Sequence, residues 1–321
     1  MIEMDDEPDF DFGSREYREF FSRFGLSPFQ HPDWLGPFYQ LLPAAAGKTP
    51  LVIVGRDTDT GRLCAVIPLL KDKNGTNSRV TFAFLGVTDY ACPVIDPSAF
   101  GQLSLQKDLH RLVGNHALEI APIHNDHQEI WSNLLGHSPI SLDFGSHALV
   151  LKPPEDQRQG SCGVRTIDGL RRKARRLAER GDLRIEAVTG SEAAESIQTA
   201  RRFRAGRFHD DPLQVDTSAA FYSHVAGSRD GLSRTFRLMC GGSVVAVLFG
   251  LVHMRRFHYI ILACDYSMYA KYSPGLLIMD LAIQAWDHAG GEVFDFTIGD
   301  EPFKAKFGCI RTPMFCVQSG F

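Results

Sequence analysis

One stretch limits what this chain can fold into more than any other. Between Phe257 and Gly308 an apolar run, Phe257 to Ala263, reads as a strand that ends at Asp265. The polar segment Lys271-Tyr272-Ser273-Pro274-Gly275 then opens a helix. Gly290-Gly291 closes that helix, and a second strand, Glu292 to Thr297, ends in Gly299-Asp300. Two strands joined by a helix crossover run parallel, so their carboxyl ends and the helix N-terminus share one edge. On an open α/β sheet that edge is where ligands bind.

The residues at this edge have chemistry to offer. Ser273 is a good helix N-cap, Pro274 suits the first helical position, and Gly275 lets a ligand come close to the backbone. Free N–H groups at a helix start attract anions, and Lys271 adds a charge, although a well-made helix start is reason enough for the same residues. Asp265 is placed to act as a general base or to orient an amine; equally it is a turn residue. Asp295 alternates with Phe294 and Phe296 and should point to the less apolar side. Asp300, Glu301, Lys304 and Lys306 crowd the turn GDEPFK, which is either part of the same edge or a solvated turn. Cys264 reads as a small buried residue.

Upstream, Ile167 to Arg180 (IDGLRRKARRLAER) is a strongly basic helix. Arg172, Arg176 and Arg180 share one face, and Arg171 and Arg175 another. Like charges at this spacing repel, so the cluster calls for an anionic partner: phosphates of a cofactor, of a nucleotide-linked substrate or of RNA. A solvated face is the alternative.

Around this unit the second half reads βααβββαβ. Its strands are Leu183 to Val188, Thr235 to Cys240, Ser243 to Met254, and the two of the opening unit; Gly241-Gly242 makes a two-residue hairpin turn. Helices are expected at Glu192 to Phe208 and Ala219 to Ala226. The first half alternates helix and strand with antiparallel hairpins. Strands fall at Leu51 to Arg56, Arg62 to Lys71, Val80 to Leu85 and Ala117 to Ile120. Helices fall at Ser14 to Phe24, near Asp33 to Leu42, Leu103 to Asn115 and Gln128 to Leu135. Residues 1–13 are acidic and expected to be loose. Lys152 to Gly163, rich in Pro, Gly and charge, is the expected linker. The whole is a mixed α/β chain of two domains, 1–155 and 156–321, the first resembling a worn copy of the second.

The chain of 321 residues carries a net charge of −4. With an isoelectric point near 6.3, bulk DNA binding is not expected. Seven scattered cysteines, with no CxxC pair, suggest neither a disulfide framework nor a metal site, and fit a reducing, cytoplasmic setting. The acidic N-terminus does not read as a signal peptide, and no apolar run reaches the ~18 residues of a membrane span. The phosphate loop GxxxxGK[ST], the GxGxxG fingerprint, the GxSxG elbow and HExxH do not occur in the sequence.

The segment SPGLLIMDLAIQAW, followed by GG, FDF and GDEPFK, resembles the CelD-type (cellulose biosynthesis) acetyltransferases of the GNAT superfamily. The basic helix and the N-terminal FQHPDWL, IPLL and TDY segments are similar to the same family, so the resemblance spans nearly the whole chain. The related Fem-type aminoacyltransferases share a plan of two GNAT-like halves. The resemblance implies tandem GNAT-like domains and an N-acyltransferase using acetyl-CoA or another acyl-CoA. The acceptor would be an amine of a small molecule or glycan in exopolysaccharide, cellulose or envelope synthesis. It places the cofactor's phosphates at Lys271, Tyr272, Ser273, Gly275 and Leu276, with Arg172 and Arg176, and Asp265, Asp300 and Lys304 toward the acceptor. The matching phosphate loop keeps one glycine where most GNAT enzymes have several. Two other readings stand beside this one. A Fem-like aminoacyltransferase using aminoacyl-tRNA is favoured by the basic helix, but the acidic isoelectric point and the lack of a coiled-coil arm oppose a tRNA partner. The other is a non-catalytic binding protein on the same scaffold.

Overall fold

The computed structural model describes residues 1–73, 78–100, 108, 111–114, 116–151, 167 and 169–319. The expected linker Lys152 to Gly163, and most of the helix expected at Leu103 to Asn115, lie outside them.

The chain forms two compact units, Met1–Phe144 with Pro313–Phe321, and Gly145–Thr312. The first contains β1 (Ile2–Asp6), α1 (Arg15–Phe24), α2 (Pro32–Leu41), β2 (Lys48–Asp57), β3 (Leu63–Asp72), β4 (Arg79–Phe82), β5 (Val94–Ile95), β6 (Ala117–His124) and α3 (Gln128–Leu135). Residues 2–6, expected to be loose, pair antiparallel with β2 from Ile2↔Asp57 to Asp6↔Ile53. Alternation explains this: Ile2 and Met4 are buried while the acids between them face out. The β2–β3 turn is held by Asp57, whose carboxylate accepts from the Thr60 N–H at 2.9 Å and from its hydroxyl at 2.8 Å. One pair, β4 with β6, is parallel.

The chain leaves this unit inside β7 (Ile140–Val150) and returns to it inside β13 (Ile310–Ser319), two strands that the sequence reading did not contain. Residues Met314 to Ser319 pair antiparallel with β6 and complete the first sheet. The division therefore falls after Phe144 and again after Thr312, where the sequence suggested one boundary between 155 and 156.

The second unit follows the expected plan: α4 (Leu170–Ala178), β8 (Leu183–Val188), α5 (Gly190–Arg204), α6 (Asp216–Gly227), β9 (Ser233–Cys240), β10 (Ser243–His253), β11 (Arg256–Cys264), α7 (Tyr266–Tyr269), α8 (Pro274–His288), β12 (Val293–Ile298) and α9 (Pro302–Lys306). The strand order is β7-β12-β11-β10-β9-β8. Gly241 and Gly242 take φ of 56° and 84°, which a tight β9–β10 hairpin requires of both central residues. The core lies where α8 covers the sheet. Leu277, Ile278, Ala282, Ile283 and Trp286 meet Phe257, Phe294 and Phe296. Phe257 and Phe294, from neighbouring strands, stack at 4.8 Å. Burial of each such large side chain contributes about 2–3 kcal/mol. Trp286 satisfies its indole N–H on the Val293 carbonyl at 2.9 Å.

Candidate active site

The two parallel strands of the second unit stay together for three residues only. The pairs are Arg256↔Val293, Phe257↔Phe294 and His258↔Asp295. Beyond them β11 and β12 part. Two irregularities cause the separation. The register of β11 against β10 slips between Tyr259 and Ile261, leaving Ile260 as an extra residue. On β12, Thr297 sits at φ 54°, an uncommon conformation for a β-branched residue, where the register against β7 also slips. The Thr297 hydroxyl donates to the Tyr259 carbonyl at 3.0 Å and closes the base of the opening. Asp265 N–H reaches across to Val245 of β10. By the two-residue alternation, the backbone groups of Leu262 and Cys264 point the other way, into the opening. Arg204 donates to the Leu262 carbonyl at 3.1 Å.

The N-terminus of α8 lies at this end. Ser273 adopts φ 53° and ψ 56°, and its side chain does not cap the helix. Its hydroxyl accepts from the Lys173 ammonium at 2.6 Å. The cap expected from sequence is thus replaced by a basic side chain brought over from α4. The Leu276 and Leu277 N–H groups both go to the Ser273 carbonyl, and the Gly275 N–H has no partner among the described residues. Gly275 is fully enclosed. A Cβ there would stand 3.1 Å from the Tyr266 hydroxyl, 3.3 Å from Leu262 and 3.5 Å from the Cys264 sulfur. Burial pushes the Cys264 thiol up to about 12 and the Tyr266 phenol likewise to about 12, so neither ionises near neutrality.

Helix α4 sets its side chains by the 100° step of a helix. Leu170, Ala174 and Leu177 face inward; Lys173, Arg176 and Arg180 line the flank that follows Tyr269 to Ser273; Arg172 and Arg175 stand toward solvent. Arg180 lies over the Tyr269 ring at 5.8 Å. Of the two arginines expected at the cofactor, Arg176 is on the flank with Lys173 and Arg172 is at its outer margin. Lys271 is exposed, 5.1 Å above the ring of Tyr272, which is buried.

The three residues expected toward the acceptor are placed differently from one another. Asp265 forms the N-cap of α7: one carboxylate oxygen accepts from the Met268 N–H at 3.2 Å and from the Ser267 hydroxyl. Lys304 is completely buried. Its ammonium donates to the carbonyls of Ile298 at 2.7 Å and Gly299 at 2.9 Å and meets the Glu301 carboxylate at 2.9 Å. It therefore ties down the end of β12. Asp300 lies one residue beyond that knot. Its carboxylate accepts from Arg311 Nε at 2.9 Å and Nη2 at 3.1 Å, from His147 Nε2 at 2.8 Å and from the Gly145 N–H at 3.2 Å. The Arg311 fork, then the His147 contact, hold the Asp300 carboxyl far below the usual carboxylate range. A carboxylate that acidic is a weak proton acceptor. Its imidazole partner, His147, is buried, and its Nδ1 has no hydrogen-bond partner among the described residues. His147, Arg311 and Lys173 are the polar residues that sequence reasoning did not connect with the site.

Asp295 faces away from the phenylalanines, as alternation required, but is buried rather than solvated. It lies 3.3 Å from Arg256 and 3.4 Å from His258 and accepts from the Thr297 N–H at 2.8 Å. Among the described residues no cluster of His, Cys, Asp and Glu could hold a metal ion, and no helix is long and apolar enough to cross a membrane.

Comparison with known proteins bears on the same unit. Comparison with curated proteins gives no match. Among solved structures, the chain is similar to FemX, with a TM-score of 0.61 at 12% identity over 94% of this chain and 95% of that one. It is similar to L-PGS from Bacillus licheniformis, with a TM-score of 0.60 at 14% identity over 94% and 91%. A tandem GNAT protein from the clavulanic acid biosynthesis pathway gives 0.51 at 12% identity over 100% and 99%. At these identities the likeness establishes the fold, a mixed α/β plan of tandem GNAT type. Residues 165–305, which hold the parted strands and the α8 N-terminus, match the model of the acetyltransferase (GNAT) domain family.

Proposed function

We propose that the chain transfers an acyl group, acetyl in the simplest case, from acyl-CoA to an amine on a sugar or a cell-envelope or exopolysaccharide precursor. The observation that carries this reading is the parting of β11 from β12 beside the N-terminus of α8. Backbone groups of Leu262 and Cys264 turn into the opening. An extended pantetheine arm can take a strand's place there and use those groups. At its end, the bare Gly275 N–H, Lys173 on Ser273, Arg176 and Lys271 offer a pyrophosphate what it needs: a helix N-terminus and positive charge. The Leu276 N–H is already bonded within the first turn. One glycine suffices because the enclosed position 275 is the one a side chain would fill.

Acyl transfer from a thioester needs a neutral amine, so a proton must leave before or during attack. Two groups at the carboxyl ends of the strands serve this reading. Asp265 has one oxygen committed to its cap and the other without a partner among the described residues. His147, oriented by Asp300, has a buried Nδ1 without a partner among the described residues, which an acceptor amine would have to reach. Asp300 then acts through the imidazole, and Lys304 supports the turn that carries Asp300. No covalent enzyme intermediate is required, in keeping with the high thiol pKa of Cys264. The work is cytoplasmic, where acyl-CoA is made.

The test has two arms. Calorimetric titration with acetyl-CoA and longer acyl-CoAs should give one site, weakened about tenfold or more in Lys173→Met; no binding of any acyl-CoA would sink the reading. With a panel of amino sugars as acceptors, thiol release should then fall in Asp265→Asn or His147→Gln while acyl-CoA binding persists. The variant that keeps full turnover removes that residue as the base.

A further inference from the structure

The basic helix has more charge than a pyrophosphate can use. Arg171, Arg172, Arg175, Arg176 and Arg180 are all exposed, and among the described residues none of them makes an ion pair or a hydrogen bond through its guanidinium. Among the described residues the acids beside α4 are Glu179 at its C-terminus and Asp280 of α8, whose carboxyl feels the charge of Arg171. Elsewhere in this unit surface arginines do find acids, as Arg184 does with Asp182 and Glu186, and Arg201 with Asp216. Unneutralised cations at helical spacing repel one another, which costs stability unless something outside the chain compensates.

The patch continues past α4. The helix packs on the turn Ala270–Tyr272, through Lys173 to Ser273 and Arg180 to Tyr269. Next in line is α7, which exposes Tyr266 and Met268, the latter 54% exposed. Arg207 lies flat on the Tyr266 ring at 3.9 Å, and Arg204 lies over Phe208, itself 51% exposed, at 4.4 Å. Cations and large apolar side chains therefore alternate along one continuous strip, from Arg172 through Arg180, Lys271, Met268 and Tyr266 to Phe208. This combination suits a surface with an anionic face and an apolar interior directly beneath it.

We propose that this strip docks the protein on an anionic lipid bilayer, with the arginines among the headgroup phosphates and Met268 and Phe208 reaching the acyl boundary. A nucleic acid fits less well. The rings of Tyr266, Phe208 and Tyr269 each have a protein guanidinium against one face, where a base would stack. The Met268 thioether offers a base neither a stacking plane nor a strong hydrogen bond, whereas an acyl boundary accepts it.

Co-sedimentation of the full chain with vesicles tests this without reference to acyl transfer, so its outcome is separate from that of the turnover assays. Phosphatidylcholine vesicles carrying phosphatidylglycerol should retain the protein in low salt and release it in high salt; pure phosphatidylcholine vesicles should not retain it. Each arginine near such a surface changes partitioning about fivefold, so Arg172→Gln/Arg175→Gln/Arg180→Gln should lower it on the order of 100-fold. Far-UV circular dichroism should be unchanged, because these side chains hold no polar partner among the described residues. The Phe208→Ser/Met268→Ser pair should weaken binding while leaving its salt dependence intact. Three results would overturn the proposal: no binding to the anionic vesicles, equal binding to both kinds, or wild-type binding by the triple variant. Salt-sensitive binding to a single-stranded oligonucleotide without vesicle binding would also overturn it and would make the strip a nucleic-acid surface.

Discussion

Lys304→Met distinguishes a structural cation from a chemical one. The wild-type ammonium is fully buried and makes three short contacts, to the carbonyls of Ile298 and Gly299 and to the Glu301 carboxylate. Methionine has a similar stem and fills the same space, so packing changes little. What is lost is the charge. Glu301 is half exposed and returns to water at little cost. The two carbonyls are half-buried and lose charge-assisted donors, worth about 1–2 kcal/mol each. The expected destabilisation is about 3 kcal/mol, a drop of roughly 6–12 °C in the unfolding midpoint of a unit this size. Calorimetric melting of the full chain measures it, because two units need not unfold in one step. Acyl-CoA binding should survive below the new midpoint, while turnover falls because Asp300, next in the chain to Gly299, loses its fixed position. An unchanged midpoint with abolished turnover would refute this reasoning and make Lys304 a participant in the chemistry.

Three further outcomes follow from the same geometry. Gly275→Ala puts a methyl group within 3.1 Å of the Tyr266 hydroxyl and beside the bare N–H, so KM for acyl-CoA should rise about tenfold or more with a smaller change in kcat, measured by steady-state thiol release. Ser273→Gly relieves a left-handed backbone at a residue with a side chain, which favours stability by about 1 kcal/mol, yet it frees Lys173; melting should rise slightly while acyl-CoA affinity falls. The folded Asp300 carboxyl titrates far below its unfolded value near 4. Its depressed pKa contributes stability that is fully present above about pH 4 and is lost as pH falls from there toward the folded pKa. The stability gap between wild type and Asp300→Asn, measured by denaturant unfolding, should therefore be flat from pH 8 to about 5 and narrow below about 4; solvent screening at this partly exposed group keeps the gap modest.

The parts of the fold legible in the sequence were those with a local signal. The apolar run of β11, the α8 start, the VFDF alternation of β12 and the Gly241-Gly242 hairpin each name their own structure. β7 does not. ISLDFGSHALV mixes polar and small residues, and its first five positions are mostly exposed. It is a strand because β12 offers it an edge, from Val293↔Val150 to Ile298↔Ser146. β13 likewise depends on β6. The site followed the same rule. Asp265, Ser273, Gly275 and Asp300 stand at visible element ends. His147, 153 residues from Asp300, and Arg311 lie on the two unread strands, and Lys173 reaches Ser273 across 100 residues. No spacing in the sequence connects such partners; only the sheet does.

The return of the chain to its first unit inside β13 has a consequence for synthesis. β6 lies between β4 and residues 314–319 in the finished sheet. On the ribosome those residues emerge after the whole of the second unit. Until then β6 is an edge, with backbone donors and acceptors open to any other strand. The first half of this protein therefore waits, through the translation of more than half of its sequence, with its sheet unfinished. Its N-terminal unit made alone, ending near Phe144, should collect in inclusion bodies, and supplying residues 310–319 as a peptide should recover some of it as soluble protein.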